Sequence, residues 1–88
     1  MQYKFSTAAL DEFEWLASND RKSFSKVNKL LRDIARNGDA SGEGSPEPLK
    51  SDLSGYFSRK INKKDRLIYK TVGNEVFILQ CRMHYNDK

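Results

Sequence analysis

The feature that most constrains the fold is a change of apolar periodicity halfway along the chain. In the first half, five apolar side chains recur at helical spacing: Phe24, Val27, Leu30, Leu31 and Ile34. That spacing marks one face of a helix over nearly three turns. From residue 55 onward the apolar residues lie in short runs bounded by turn residues, as in β-strands. The 88 residues suit one domain, which we take as residues 1–88.

The first half is predicted to hold a short strand over residues 2–6 and two helices. Ser6 or Thr7 can cap a first helix over residues 7–18. Asp20 can cap the second, and Asn37-Gly38 ends it. The apolar stripe of the first helix is predicted as Leu10, Phe13 and Ala17, with Trp15 and Leu16 beside it. Two helices joined this closely form a hairpin whose apolar stripe needs a partner surface.

The second half predicts that partner surface. Residues 38–48 are rich in Gly, Ser and Pro and form a long loop, and three strand-like runs follow over 55–61, 66–72 and 75–83. The expected fold is α+β, in the order βααβββ, with the helical hairpin on one face of a mostly antiparallel sheet. Alternation in the last run predicts two faces. Phe77, Leu79, Cys81 and Met83 are predicted to face the core, and Ile78, Gln80, Arg82 and His84 the other side.

Charge is unevenly distributed along the chain, whose net value is +4. Residues 1–48 hold seven basic and eight acidic side chains, whereas residues 49–85 hold eight basic and three acidic ones. A basic half of this kind suits a polyanion such as nucleic acid, although many basic small domains bind acidic proteins instead. Cys81 is the single cysteine, and no metal-ligand spacing is apparent, so no cofactor is expected. No apolar run is long enough for a membrane span, no secretory signal is visible, and a cytoplasmic location is expected.

Several motifs in the second half resemble those of one toxin family. They are Gly44-Ser45-Pro46-Glu47-Pro48-Leu49-Lys50, Asp52-Leu53-Ser54-Gly55-Tyr56-Phe57-Ser58-Arg59-Lys60-Ile61, Arg66-Leu67-Ile68-Tyr69 and the near-terminal His84-Tyr85. Together with the two-helix opening, this pattern resembles the YoeB family within the RelE/ParE toxin superfamily. The resemblance implies cleavage of mRNA in the ribosomal A site, a cognate YefM-like antitoxin as partner, and a tendency to form homodimers.

The resemblance also implies a set of working residues, which are Glu47, Lys50, Lys60, Arg66, His84 and Tyr85; Arg82 is added as a further phosphate-binding cation. Cutting RNA without a metal requires a base for the 2′-hydroxyl, an acid for the leaving oxygen and cations for the phosphate. Glu47 would be the base and His84 the acid, while Tyr85 would stack on a nucleobase or orient the phosphate.

Two positions depart from the family pattern. Position 60 is lysine where the family has arginine, so a two-pronged phosphate contact becomes a single ammonium. The chain also continues past the tyrosine with Asn86-Asp87-Lys88, which adds an acidic group near the proposed RNA site.

Lys60 and Arg66 must share a face of the sheet if both hold one phosphate. A two-residue turn at Lys63-Lys64 would put them on opposite faces, whereas an odd-length loop, such as residues 61–65, or a bulge would put them on one. The odd loop also places Phe57 and Ile61 against the helices and leaves Ser58 and Ile68 on the open surface. We therefore predict an odd loop or a bulge, with Lys60, Arg66 and His84 facing away from the helices.

Other residues have plainer interpretations. Lys63, Lys64 and Lys70 are expected to be solvated charges, and the large aromatic residues Trp15, Phe24 and Phe57 to be core. Arg59 is expected to make a structural ion pair. Two other functions stay open: a non-catalytic ParE-like toxin that binds a protein such as gyrase, and a plain RNA-binding module. The sequence lacks the exposed aromatic pairs typical of the RNA-binding module.

Overall fold

The structure is a computed structural model and describes residues 1–83. Its elements, in chain order, are strand β1 (Gln2–Phe5), helix α1 (Thr7–Asn19), helix α2 (Arg21–Asn37), strand β2 (Glu47–Pro48), a turn of 3-10 helix (Ser51–Leu53), and strands β3 (Phe57–Lys60), β4 (Arg66–Val72) and β5 (Glu75–Gln80). No helix among the described residues is long and apolar enough to cross a membrane.

Both helices begin at the predicted caps. The Ser6 hydroxyl accepts a hydrogen bond from the Ala9 amide at 3.0 Å, and the Asp20 carboxylate accepts one from the Ser23 amide at 3.1 Å. Each cap satisfies an amide that has no partner within its own helix. Gly38 ends α2 with a positive φ of 87°, and its amide bonds the Ile34 carbonyl. The predicted helix bounds are therefore confirmed to within one residue.

The strands form one sheet in the order β1-β5-β4-β3-β2. Strand β1 runs parallel to β5, and the remaining pairs are antiparallel. The helical hairpin packs on one face, and the buried apolar side chains between helices and sheet are Ala9, Leu16, Val27, Leu30, Leu31, Ile34, Ile61, Leu67, Tyr69, Val76, Ile78 and Cys81. The predicted α+β class is confirmed; the additional short strand β2 lies in the predicted loop.

The predicted stripe of α1 is partly wrong. Ala9 and Leu16 are the fully buried residues of this helix, whereas Leu10 is 44% exposed and Trp15 41% exposed. Because Ala9 is small, the helix lies close to the sheet at that point, where the Cys81 thiol reaches the Ala9 carbonyl at 3.5 Å. The helix itself was predicted correctly, but its buried face is rotated about the helix axis relative to the predicted one.

The predicted faces of the last strand are also wrong. Val76 and Ile78, not Phe77 and Leu79, belong to the core. Strand pairing shifts between Ile68, which faces Gln80, and Tyr69, which faces Ile78, so Leu79 is an extra residue in a β-bulge. A bulge breaks simple alternation. Cys81 is buried as predicted, whereas Met83, which lies beyond the end of β5, is 60% exposed.

Candidate active site

The pairing of β3 with β4 places the two predicted cations side by side. Lys60 lies directly opposite Arg66, and the loop between them spans the five residues 61–65. Directly opposed residues share a face of the sheet. Because Arg59 and Leu67 are fully buried on the helix side, Lys60 and Arg66 lie on the face away from the helices. The predicted odd loop and shared face are confirmed for these two residues.

Asn62 organises the five-residue loop. Its side-chain oxygen accepts hydrogen bonds from the amides of Lys64 and Asp65 at 2.9 and 2.8 Å, which is the local bonding that makes asparagine favourable in turns. Its amide nitrogen donates to the Ser23 hydroxyl on α2 at 2.7 Å and to the Asp65 carboxylate at 2.8 Å. The loop is therefore tied to the helical layer.

The same loop also holds Arg66, through one of its terminal nitrogens. Its Nη1 donates to the carbonyls of Asn62 and Asp65 at 2.8 and 3.1 Å. Its Nε and Nη2 make no hydrogen bond to any of residues 1–83. A guanidinium fixed along one edge presents its remaining donors in a defined direction, which suits a phosphate.

Glu47 reaches the same face through strand β2. It lies opposite Ser58, which is two residues from Lys60 on β3 and therefore on the Lys60 side. Diagonal neighbours of this kind lie roughly 7–8 Å apart, with their Cβ atoms somewhat closer. Glu47 and Lys60 are both exposed. The sheet thus aligns one carboxylate and two cations on one face.

Arg59 fixes the loop that leads to Glu47. Its side chain is fully buried, and its five N–H donors are all used. The acceptors are the Tyr69 hydroxyl at 2.8 Å, the Asp33 carboxylate at 2.6 Å, and the carbonyls of Glu43, Gly38 and Ser41 at 3.0, 2.7 and 2.7 Å. The predicted structural ion pair of Arg59 is confirmed, and it explains how a loop rich in glycine and serine keeps one conformation.

Asp33 and Tyr69 complete this buried network. The Asp33 carboxylate also accepts the Glu43 amide at 3.0 Å, and the hydrogen bonds from Arg59 and Glu43 lower the pKa of Asp33 below its ordinary value. The Tyr69 hydroxyl donates to the Asp39 carbonyl at 2.6 Å. Burial raises the pKa of Tyr69, so it stays a neutral donor. No buried side-chain polar atom of the described residues lacks a partner.

The face that carries Lys60 is not as open as predicted. Ser58 and Ile68, expected on an open surface, are 3% and 0% exposed. The segment after β2, including the 3-10 turn, folds back over this face and forms one wall of a groove of about 360 Å³, with Leu79 and Gln80 on the opposite wall. An apolar Ile68 on this face favours such cover. Lys50, at the start of the 3-10 turn, is exposed and lines the groove.

Two carboxylates hold the segment that follows β5. The Glu12 side chain accepts the Cys81 amide at 2.8 Å, and Asp65 accepts the Met83 amide at 2.6 Å. The Arg66 amide donates to the Met83 carbonyl at 3.1 Å. Burial raises the pKa of Glu12, and burial raises the pKa of the Cys81 thiol to about 12. Cys81 is therefore protonated and a core residue, as expected, and the chain arrives at Met83 beside Arg66.

The remaining predicted site residues differ in outcome. The Arg82 guanidinium lies over the Trp15 ring, 3.4 Å from its centroid, so its side chain is not brought to Lys60 and Arg66. Trp15 itself is half exposed rather than core, and Arg82 covers part of its ring. Phe24 and Phe57 pack against the core. His84 and Tyr85 lie outside the described residues. Residues 1–83 contain no group of three potential metal ligands.

Sequence reasoning missed Glu12, Asp65 and Asn62, whose side chains position the segments around Arg66. Glu12 is distant in sequence from Cys81, and Asp65 is distant from Met83, so each pair comes together only in the folded protein. Asn62 followed by two lysines and Asp65 is a turn pattern, and that pattern could have identified the side-chain bonding of the loop.

Comparisons with known proteins show the family of the chain. A family model described as the YoeB-like toxin of bacterial type II toxin–antitoxin systems matches residues 5–85. The chain is 42% identical to Toxin YoeB of Streptomyces coelicolor, covering 97% of this chain and 100% of the relative. It is 40% identical to Toxin YoeB of Synechocystis, covering 97% and 98%.

Solved structures give the same result. A structure of the YoeB dimer from Staphylococcus aureus superposes with a TM-score of 0.92 at 42% identity, covering 97% of this chain and 98% of that one. The heterotetrameric YoeB–YefM toxin–antitoxin complex of the same organism matches with a TM-score of 0.91 and the same identity and coverage. The match over nearly the whole length identifies this chain as a member of the YoeB family, the toxins of bacterial type II toxin–antitoxin systems.

Proposed function

We propose that this toxin is a ribosome-dependent endoribonuclease that cleaves mRNA in the ribosomal A site, without a metal ion, and thereby inhibits translation. The observation that carries the proposal is the strand register that aligns Glu47 with Lys60 and Arg66 on one face of the sheet. A carboxylate beside two cations, at hydrogen-bonding reach of a phosphodiester, is the arrangement that such cleavage requires.

In the proposed reaction the 2′-oxygen of one nucleotide attacks the adjacent phosphorus and the bond from phosphorus to the 5′-oxygen breaks. Glu47 takes the proton of the 2′-hydroxyl, and His84 gives a proton to the departing 5′-oxygen. The products are a 2′,3′-cyclic phosphate and a 5′-hydroxyl. Negative charge on the phosphoryl oxygens increases in the transition state, where fixed cations stabilise it most.

Each cation has a different role in binding the RNA, which follows from its surroundings. The Nε and Nη2 of Arg66, which bond none of residues 1–83, bind the phosphate in a fixed direction, while the exposed ammonium of Lys60 adds a point charge opposite. Lys50, on the groove wall near Gln80, contacts a neighbouring phosphate. Arg82, stacked on Trp15, reaches RNA only at the periphery of the site. Tyr85 stacks on a nucleobase.

The partners of the relatives extend the proposal. The Staphylococcus aureus relative is found in a complex with YefM and as a dimer. We expect this toxin to bind a YefM-like antitoxin and to form a homodimer in the cytoplasm, where ribosomes and mRNA are found. An antitoxin that covers Glu47 and Arg66 would block the reaction directly.

The decisive experiment replaces Glu47 with glutamine. Glu47→Gln keeps the size and hydrogen-bonding reach of the side chain but removes the base, and single-turnover cleavage on programmed ribosomes should fall ~100-fold or more. Cleavage is measured by primer extension on a defined mRNA. Glu43→Gln is the matched control: this half-exposed carboxylate lies four residues away and makes only long, 3.9 Å contacts with Lys26 and Lys29.

The control variant should cleave like the wild type. If Glu47→Gln also cleaves like the wild type, Glu47 is not the base. If the wild type arrests growth but cuts no RNA on ribosomes, the ribonuclease assignment itself fails and a protein target, as in ParE-like toxins, takes its place.

A further inference from the structure

A second row of side chains crosses the sheet on the same face as the proposed site. Lys4 on β1 lies opposite Phe77 on β5, and Phe77 lies opposite Lys70 on β4. Continuing the β3–β4 register by one step places Tyr56 opposite Lys70. Lysine and aromatic side chains therefore alternate across four neighbouring backbone segments, all facing away from the helices. We call Lys4, Phe77, Lys70 and Tyr56 the cation–aromatic row.

Contacts within the row show that its members touch their neighbours. The Lys70 ammonium lies 4.9 Å from the centroid of the Tyr56 ring, and the Lys4 ammonium 5.8 Å from that of Phe77. Lys4 also pairs with Glu75 at 3.2 Å, although its side chain remains 54% exposed. Tyr56 and Phe77 are half-buried. The rings are thus held in place by the sheet and by the lysines before any ligand arrives.

Tyr56 and Phe77 line an open cavity of about 310 Å³, which is the lower end of the size range of ligand pockets. Its walls are mainly apolar and include Phe5 and Leu79. An apolar slot between two rings suits the flat face of a nucleobase, and the adjacent ammonium groups suit the phosphates on either side of it. Interleaved aromatic and basic side chains are the usual platform for single-stranded nucleic acid.

The cavity beside the row shares a lining residue with the groove next to the proposed site. Leu79 lines both this cavity and the groove that contains Lys50 and Gln80. The Gln80 side chain in turn donates to the Arg82 and Met83 carbonyls, and the Met83 carbonyl accepts the Arg66 amide. Tyr56 precedes Ser58, the partner of Glu47, by two residues and lies on the same face. The two residues are therefore roughly 7 Å apart along the chain. That distance is about one nucleotide of an extended strand.

We infer that the cation–aromatic row is a subsite for single-stranded RNA, which stacks a nucleobase of the substrate strand a short distance from the scissile phosphate while Lys4 and Lys70 contact its backbone. The inference rests on the proposed function, since it concerns the same substrate. It gives Lys70, interpreted from sequence as a solvated charge, a role in binding.

The test measures binding of a fluorescent RNA hexamer whose sugars are 2′-O-methylated, so that it cannot be cleaved by 2′-oxygen attack. Phe77→Leu and Tyr56→Leu keep apolar volume but remove the stacking surface, and each should weaken binding about five-fold or more. Phe77→Tyr should restore binding to near the wild-type value. Lys70→Gln should weaken binding and reduce the dependence of log affinity on log salt by ~0.7, the value for one phosphate contact on a single strand.

The matched control is Tyr3→Leu, which removes an aromatic ring from β1 on the helix side of the sheet, where its hydroxyl bonds the Leu31 carbonyl. This variant should bind the hexamer like the wild type, and thermal unfolding verifies that each variant is folded. Because the hexamer is uncleavable, the result does not depend on Glu47, so the subsite and the catalytic assignment fail separately.

Two outcomes would overturn the inference. One is wild-type affinity in folded Phe77→Leu and Tyr56→Leu; if the same variants bind the antitoxin more weakly, this face is a protein-binding surface. The other is equal loss in Tyr3→Leu.

Discussion

Arg59 and Lys60 are neighbours on strand β3, yet the two cations lie in opposite environments. Arg59 points to the helices, is fully buried and has a partner for every donor. Lys60 points the other way and is exposed, with another cation, Arg66, directly opposite. On the helix side of the sheet the positive charge of Arg59 is neutralised by Asp33, whereas on the other side two positive charges lie next to each other.

The difference shows how a small domain combines stability with a polyanion site. Two cations facing each other repel, which is unfavourable for the free protein and favourable once a phosphate lies between them. The repulsion is tolerated because the other face of the same strand is anchored by the Arg59 network. Stability and binding are thus assigned to alternate residues of β3, and substitutions at 59 and 60 should affect different properties.

The largest expected effect separates the two residues by stability. Arg59→Met leaves the Asp33 carboxylate and three loop carbonyls without their partner, and removal of one member of a buried pair typically costs about 3 kcal/mol or more. That is a large fraction of the total for a domain of 88 residues. Lys60→Met should change stability by less than about 0.5 kcal/mol. Urea unfolding of both variants measures the difference.

Equal stability losses in the two variants would contradict the division of roles. Limited proteolysis gives an independent readout, because Arg59→Met should expose the loop over residues 38–44 to cleavage before the rest of the chain unfolds. Lys60→Met should keep the wild-type cleavage pattern.

The next effect tests whether the Arg59 loop tolerates any added atom. A Cβ at Gly42 would lie 1.9 Å from the Asp33 carboxylate oxygen that Arg59 binds, at a φ of 113°. Gly42→Ala should therefore destabilise the protein by about 2 kcal/mol. Gly73→Ala is the control: its φ of 60° is also positive, but its Cβ would meet no atom within 4 Å. It should lose only about 1 kcal/mol, and a loss as large as that of Gly42→Ala would show that close packing is not the cause.

Local features of the fold were predictable from sequence. The Ser6 and Asp20 caps depend on residues within three positions, and the helix ends followed from them. The shared face of Lys60 and Arg66 was also predictable, because the number of loop residues and the apolar side chains at Phe57 and Ile61 required the same register.

Features that depend on distant contacts were not predictable. Nothing in the alternation of Phe77, Ile78 and Leu79 indicates where the bulge falls, since the shift arises from pairing with β4. Arg59 could be assigned an ion pair, but its carbonyl partners belong to a loop without periodicity. The cation–aromatic row was missed because Tyr56 and Phe77 are 21 positions apart and become neighbours only across the sheet.

A smaller effect concerns the type of cation at position 60. Lys60→Met should lower single-turnover cleavage ~10-fold, since one of two cations beside the phosphate is lost. Lys60→Arg should raise cleavage a few-fold, because a guanidinium can form two parallel bonds with phosphate. Lys29→Met on α2, whose side chain is 66% exposed, is the control and should leave cleavage unchanged. If Lys60→Met matches that control, Lys60 is not part of the site.

The smallest effect needs only a change of pH, and it contrasts two carboxylates. The hydrogen bonds from Arg59 lower the folded-state pKa of Asp33 below its ordinary value of 3.8, so Asp33 contributes stability above that value and loses it as pH falls through the lower folded pKa. Burial raises the pKa of Glu12 above 4.5, so its contribution is complete below 4.5 and is lost as pH rises through the raised value. In urea unfolding, the stability of the wild type relative to Asp33→Asn should therefore decrease toward acid, while its stability relative to Glu12→Gln should increase. If both differences changed in the same direction, the opposite environments of the two carboxylates would be disproved.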